Sequence, residues 1–172
     1  MSSEPVVTIV ASAFASLDAV VDEVLELPFD LRERSRLRAR LLSGEEIGID
    51  LPVGTLLHHG SKLMLADGRV VAIEASDEAL LEVRAAGAAD LIRIAYHIGN
   101  RHVPIQVGAG WLRILPDHVL QAMVVGLGGA VQAVTSRFEP EGGAYGHSHV
   151  HHRHDDQGHG GRIHVMDAGT GL

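Results

Sequence analysis

The chain of 172 residues suits one domain or two small ones, and its hydrophobic content of 46% suffices for a packed core. Its formal charge of −8 argues against nucleic acid as a main partner, and no apolar run is long enough for a membrane helix. There is no cysteine, which excludes disulfides and thiolate metal sites. With the lack of a basic secretory signal at the N-terminus, this favours a cytoplasmic protein.

The first part of the chain reads as strands. A short apolar strand is predicted at residues 6–10, whereas residues 13–25 fit either a helix or strands, because their apolar spacing is helical but they are rich in valine. From Arg34 the arginines alternate with smaller or apolar residues up to Leu41, which predicts a strand with one solvated face. That strand forms a hairpin with residues 47–51. The arginine face could alternatively bind an acidic partner.

A second hairpin is predicted from residues 63–66 and 69–73, joined by Asp67-Gly68, the dipeptide typical of a type I′ turn. A polar break follows at residues 76–78. We therefore predict a mainly β N-terminal domain at residues 1–75.

Helices and strands alternate beyond the break. The predicted order is strand 79–85, helix 88–98, strand 103–107, strand 111–115, helix 117–128 and strand 130–138. The two helices carry apolar residues at i, i+3, i+4 and i+7, and Pro116 and Asp117 suit the start of the second. This βαββαβ order predicts a ferredoxin-like sandwich at residues 76–141, with both helices on one face of the sheet. The fold class is thus α+β.

The first of these helices ends in a segment with two histidines. Gly99 is predicted to end the helix in the left-handed conformation, which Asn100 would also tolerate. His102 then lies in a tight exit towards the next strand, five residues after His97. Spacing alone leaves two interpretations open: a pair of metal ligands, or histidines placed at the helix end by its dipole.

The last part, residues 142–172, is rich in glycine and poor in large apolar groups, so we predict a disordered tail. It holds seven of the twelve histidines, and a flexible tract can gather several imidazoles around one ion. Other residues interrupt the run, unlike a purification tag. The predicted tail ligands are His147, His149, His151, His152, His154, His159 and His164.

The segment from Tyr96 to Pro104 resembles the signature of the UreE family of urease accessory proteins, with Gly99-Asn100-Arg101-His102 as its most specific part. The resemblance continues in several other motifs. They are residues 36–38, 51–55, 67–71, 117–120 and 138–145, together with the histidine-rich tail. These motifs cover nearly the whole chain after about residue 28.

The resemblance implies roles for particular residues. In such proteins the histidine matching His102 lies at a homodimer interface and binds one metal ion together with its copy from the other subunit. His97 and His118 match positions linked with auxiliary metal binding, and Arg101 is a candidate for a partner or interface contact. Pro116 stands where one family pattern has a histidine, which puts a complete auxiliary pair in doubt.

The function implied is that of a metallochaperone, not an enzyme, which delivers Ni²⁺ for assembly of the urease active site. The same histidines could bind Zn²⁺, Cu²⁺ or Co²⁺. The expected partners are a second copy of the chain, the GTP-binding urease accessory protein and apo-urease with its accessory proteins. The resemblance also gives the N-terminal domain a partner- or peptide-binding character.

The main alternative is a nickel or zinc storage protein that acts through its tail. A metallohydrolase is a third class, but the sequence has no HExxH helix or comparable ligand spacing.

Overall fold

The computed structural model describes residues 9–142, so the predicted tail and its seven histidines lie outside the described residues. The described part is an α+β structure with a mostly β N-terminal domain and a C-terminal domain, as predicted. None of its helices is long and apolar enough to span a membrane. The strands and helices are β1 (Ile9–Phe14), β2 (Glu23–Leu27), α1 (Phe29–Arg32), β3 (Arg36–Arg40), β4 (Glu46–Asp50), β5 (Lys62–Leu65), β6 (Val70–Ala75), β7 (Asp77–Arg84), α2 (Ala88–Gly99), β8 (Gln106–Gly108), β9 (Trp111–Ile114), α3 (His118–Gly126) and β10 (Ala130–Arg137).

The N-terminal domain is one six-stranded sheet in the order β2-β6-β5-β1-β4-β3. The pairs β1–β4 and β2–β6 are parallel and the others are antiparallel. The sheet curls around its own core, because strands from both of its ends contribute to one buried cluster that includes Leu25 and Ile49. The Leu42 N–H donates to the Val24 carbonyl at 3.2 Å, which links the two ends of the sheet.

The hairpin predicted from the arginine alternation is confirmed as β3 and β4. Arg36 and Arg40 are exposed and bind Asp50 and Glu46 on the neighbouring strand, at 2.6 and 2.9 Å. Exposed pairs of this kind contribute little to stability. The arginine side is therefore a solvated strand face, and the opposite side packs on the core.

The second hairpin is also confirmed, as β5 and β6, but its predicted turn type is wrong. A type I′ turn needs a positive φ at both Asp67 and Gly68, and only Gly68 has one, at 91°. The Gly68 N–H donates to Leu65 O and the Leu65 N–H to Arg69 O. Such a longer loop, closed by a left-handed glycine, avoids the left-handed conformation for the aspartate.

The ambiguous stretch 13–25 forms no helix. It contains the end of β1, a loop and the start of β2, so the valine content decided the structure over the helical spacing. Of the strand predicted at residues 6–10, residues 9 and 10 are confirmed as part of β1, and residues 6–8 lie outside the described part. The single-turn helix α1 was not predicted.

The C-terminal domain has the element order β7-α2-β8-β9-α3-β10 and a four-stranded antiparallel sheet in the order β10-β7-β9-β8. Both helices pack on the same sheet face, because Ile94 and Ile98 of α2 and Leu120 and Val124 of α3 share one buried cluster with β7 and β9. The predicted apolar stripes are thus the buried faces of the helices. The strand predicted at residues 103–107 begins only at Gln106.

A buried arginine joins the two domains. The Arg32 side chain is fully buried and donates to the carbonyls of Leu57 and Phe138 and to the Glu139 carboxylate. Beside it the rings of Phe29 and Phe138 meet edge to face, with centroids 5.2 Å apart. These contacts fix where the chain goes when it leaves β10.

Candidate metal centre

His97 lies within the last turn of α2, whereas His102 lies in the turn that follows the helix. His97 is in the last turn of the helix and half-buried, with its ring edge-on to Tyr96 at a centroid distance of 5.4 Å. A cation there is favoured by the helix dipole. His102 follows the helix and is exposed. The two side chains therefore differ in freedom: His97 is held by packing, whereas His102 is free to meet a ligand.

The left-handed residue of this exit is His102, and the prediction for Gly99 is wrong. Gly99 remains helical, Asn100 has a φ of −63°, and His102 has a φ of 55°. Among residues 9–142 it is the one non-glycine residue with a positive φ. The turn is closed by Arg101 N–H donating to Ile98 O and His102 N–H donating to Gly99 O, both at 2.9 Å. A positive φ is uncommon outside glycine, and such residues often lie at functional sites.

Arg101 is turned back onto the helix. Its Nη1 donates to the His97 carbonyl at 3.0 Å, so it caps the end of α2 while its side chain stays exposed. The positive charge of Arg101 is the smallest of the causes that lower the pKa of Asp117, the residue before α3.

The start of α3 is organised by Asp117, as predicted. Its Oδ1 accepts hydrogen bonds from the N–H groups of Val119 and Leu120, at 2.7 and 2.9 Å. The hydrogen bond from Leu120 is the largest cause that lowers the pKa of Asp117, followed by that from Val119 and by the positive charges of His118 and Arg101. His118 is exposed on the first turn of α3.

A small cleft of about 130 Å³ lies between the segment that follows α2 and the start of α3. It is lined by residues of the His102 exit and of the α3 start, namely Val103, Pro104, Ile114, Leu115, Pro116, Asp117 and Leu120. This lining is mostly apolar. Of the predicted ligands in the described part, His97, His102 and His118 do not line it.

A single chain does not assemble a closed metal site in the described part. Among residues 9–142 there is no group of three or more His, Cys, Asp or Glu side chains placed to hold an ion. The histidines at the end of α2 and the start of α3 therefore do not form a three-ligand site within one chain. They are His97, His102 and His118. An ion bound at His102 would need further ligands from the tail or from a second chain.

The end of the described part returns to the segment after His102, which the sequence did not indicate. The Glu141 N–H donates to the Ile105 carbonyl at 2.8 Å. Ile105 is three residues after His102 in the chain. The residues that lead to the histidine-rich tail are therefore held beside the His102 exit. Only the tertiary fold brings residues 105 and 141 together, so no local signal could have revealed it.

The histidines of the N-terminal domain have local partners. His58 Nδ1 is 3.6 Å from Glu139 Oε2. His59 Nδ1 is 3.3 Å from the Ala75 N–H, and His59 Nε2 is 3.0 Å from Arg137 Nη1. No partner for this pair is near it in the sequence, since Arg137 is 78 residues from His59 and Glu139 lies two residues further on. These contacts lie at the junction of the domains.

Two family profiles match the chain. The profile of the UreE urease accessory protein N-terminal domain matches residues 8–76, and that of the C-terminal domain matches residues 78–164. The first match begins at residue 8, whereas the sequence motifs indicated a likeness only after about residue 28.

Individual relatives agree with the profiles. The chain is 50% identical over 140 residues to the urease accessory protein UreE of Nitrosospira multiformis, which is 81% of this chain and 80% of that protein. It is 46% identical over 149 residues to the protein of the same name from Ectopseudomonas mendocina, covering 85% and 90% of the two chains. A UreE from Pseudomonas fluorescens is 48% identical over 134 residues, covering 77% and 81%.

Proposed function

Because the chain belongs to the UreE family of urease accessory proteins, we propose that it is a metallochaperone that binds Ni²⁺ and delivers it for assembly of the urease active site. The family places its role in urease maturation and makes it an accessory chaperone rather than an enzyme. Nickel, the residues that bind it and the route of its delivery are the proposal. In this proposal Ni²⁺ is the cargo, and Zn²⁺, Cu²⁺ or Co²⁺ can occupy the same ligands.

The observation that carries the proposal is the exposed His102 on its left-handed backbone. Because the turn fixes that backbone, the chain has little backbone freedom to lose when the imidazole binds an ion. One imidazole is too few for stable binding, but two copies related by a two-fold axis would supply two ligands to one ion. Such a site holds nickel through few ligands and leaves it open to exchange, as delivery requires.

Exposed apolar side chains on the two helices support a homodimer at this end of the molecule. They are Ile92 and Tyr96 on α2, exposed by 69% and 65%, and Val119 and Val125 on α3, exposed by 55% and 57%. These side chains are available for an apolar contact with a second copy. In the proposed dimer Arg101 contacts the interface or a partner, and His97 and His118 are auxiliary ligands.

The anchoring of Glu141 supports a role of the tail at the same site. His147 is six residues beyond Glu141, and an extended chain of six residues spans roughly 20 Å. Histidines at the start of the tail can therefore reach His102 of the same chain. We include all seven tail histidines, from His147 to His164, as ligands that raise the capacity for nickel.

The remaining parts of the proposal follow the family. We assign the domains to residues 1–75, 76–141 and 142–172, the last as a disordered tail. The strand order β10-β7-β9-β8 supports a ferredoxin-like C-terminal domain. The partners are the GTP-binding urease accessory protein and apo-urease with its accessory proteins, in the cytoplasm.

The test is calorimetric nickel titration of the chain ending at Tyr145, with His102→Ala compared with His97→Ala and His118→Ala. We expect the truncated chain to keep one ion per dimer, His102→Ala to abolish this binding, and the other two variants to weaken it. Sedimentation should show that nickel no longer strengthens the His102→Ala dimer. Unchanged binding in the His102→Ala chain would refute the shared site.

A second experiment separates delivery from storage. The full chain should form a complex with the GTP-binding urease accessory protein that is strengthened by nickel, and the His102→Ala chain should not. If nickel binds only to the tail and no nickel-dependent complex forms, the storage alternative is correct.

A further inference from the structure

The last strand, β10, has a free edge. It spans eight residues, Ala130–Arg137, and pairs along its whole length with β7 on one side. No other described strand or loop forms a backbone hydrogen bond with it. In an antiparallel pair every second residue points its N–H and C=O away from the neighbour, so the other side of β10 presents a row of unpaired backbone groups.

The other edge strands of the two sheets are protected against pairing. The edge strand β3 carries Arg36, Arg38 and Arg40, and β2 carries Glu23 and Glu26. The fourth, β8, has only three residues. Charges and shortness are the usual ways to prevent edge-to-edge association. β10 has neither, because its first seven residues are uncharged and include no proline.

The composition of β10 suits a partner identical to itself. In a two-fold antiparallel pairing centred near Ala133, residues 130–136 of one copy lie opposite the same residues of the other, and no like charges meet. The chain as a whole has a formal charge of −8, so self-association needs a neutral surface. Ala133 and Thr135 are exposed and small enough for two backbones to approach.

We propose that β10 pairs edge to edge with β10 of a second copy, and so joins the two four-stranded sheets into one. This contact differs from the His102 homodimer and requires no metal. The chain's own tail is a poor alternative occupant, because Glu141 is held at Ile105, next to β8 at the opposite edge of the sheet. The tail is also rich in glycine and histidine rather than in strand-forming residues.

The absence of native cysteine allows a direct test by disulfide cross-linking. Ala133→Cys is made in the full chain with His102→Ala, so that the metal-linked dimer does not contribute, and is oxidised in a glutathione buffer with a chelator. We expect a covalent dimer, because paired strands bring facing Cβ atoms within reach of a disulfide. The matched control is Glu26→Cys, an exposed position on the charged edge strand β2, which should form no covalent dimer.

A charge on the edge provides the second arm. In the His102→Ala chain with chelator, the apolar surface of α2 and α3 still joins two copies, so sedimentation should show a mass that rises with concentration beyond twice the 18.3 kDa of one chain. Thr135→Lys should abolish this rise, whereas an unchanged circular dichroism spectrum shows that the fold persists. The proposal is overturned if Ala133→Cys cross-links no better than Glu26→Cys, or if Thr135→Lys leaves the mass unchanged.

Discussion

His102 bears a cost that a glycine in its place would avoid. For most residues a left-handed backbone is unfavourable by about 1–2 kcal/mol, because Cβ approaches the following carbonyl. The structure places histidine there with a φ of 55°, although Gly99 is only three residues away. If His102 is a ligand, as proposed, this left-handed backbone sets the direction in which the imidazole leaves the chain.

Two substitutions of His102 separate the backbone from the ligand. Both His102→Ala and His102→Gly should remove nickel binding at this position, since neither supplies a lone pair. The glycine variant should be the more stable of the two by about 1 kcal/mol, because only glycine adopts this φ without a Cβ clash. Urea denaturation of the two chains measures the difference. Equal stabilities would show that residue 102 is not left-handed in solution.

The cap at Asp117 predicts a dependence on pH. Hydrogen bonds from Leu120 and Val119 lower the pKa of Asp117 below the value of 3.8 for the free group. A carboxylate with a depressed folded pKa contributes its full stability above the unfolded pKa, and loses it as the pH falls through the folded one. Asp117→Ala should therefore lower the melting temperature by a few degrees at pH 7.

The control for the cap is Asp117→Asn, since asparagine caps helices about as well as aspartate. At pH 7 this variant should keep most of the stability of the protein. At lower pH it should not show the loss of stability that protonation of Asp117 causes. Melting curves between pH 3 and 7 give both results. If Asp117→Ala and Asp117→Asn melt alike at neutral pH, the hydrogen bonds to Val119 and Leu120 do not stabilise α3.

The strands β8 and β9 depend on one glycine. Gly108 lies opposite Trp111, and a Cβ built on it would be 2.1 Å from the Trp111 Cε2 atom. The indole covers the glycine and stacks on Arg113, whose guanidinium is 4.2 Å from the ring centroid. A glycine on this strand thus makes room for the aromatic ring.

Gly108→Ala should displace the indole and destabilise the protein by about 1–3 kcal/mol. Trp111 is the single tryptophan of the chain, so its fluorescence reports on this position alone. We expect a shift of the emission maximum to longer wavelength in the folded protein. The matched glycine is Gly126 in α3, where a Cβ meets no atom within 4 Å; Gly126→Ala should stabilise by about 0.5–1 kcal/mol and leave the emission unchanged.

Elements with a strong period were predictable from the sequence, and those fixed by distant contacts were not. Ile94 and Ile98 of α2 are buried at the predicted spacing, and the alternation of Arg36 to Arg40 marked β3. The single turn of α1 has too few residues to show a period, and Arg32 within it is held by groups more than a hundred residues away. At the site, the motif identified His102 but not its backbone conformation.

Arg32 should be the most sensitive position for the whole described structure. Its guanidinium is fully buried and joins the N-terminal domain to Phe138 and Glu139 after β10. Arg32→Ala removes the cation and leaves carbonyl and carboxylate groups without their donor, so we expect a loss of about 3 kcal/mol. Arg34, whose exposed side chain is 3.5 Å from Asp30, serves as the control; Arg34→Ala should change stability by no more than about 0.5 kcal/mol. Chemical denaturation of both variants decides this, and equal effects would contradict a buried role for Arg32.

The hydrogen bond from Glu141 to Ile105 also has a kinetic consequence. It fixes residue 141, which precedes the tail, at the segment after His102, so on the proposed function a tail imidazole would meet an ion at His102 at an effective concentration in the millimolar range. Exchange of nickel between the two would then be a first-order step within one chain, and dilution of the protein would not slow it. On the proposed function, nickel bound by the tail would then reach His102 of the same chain at a rate that does not depend on the concentration of the protein.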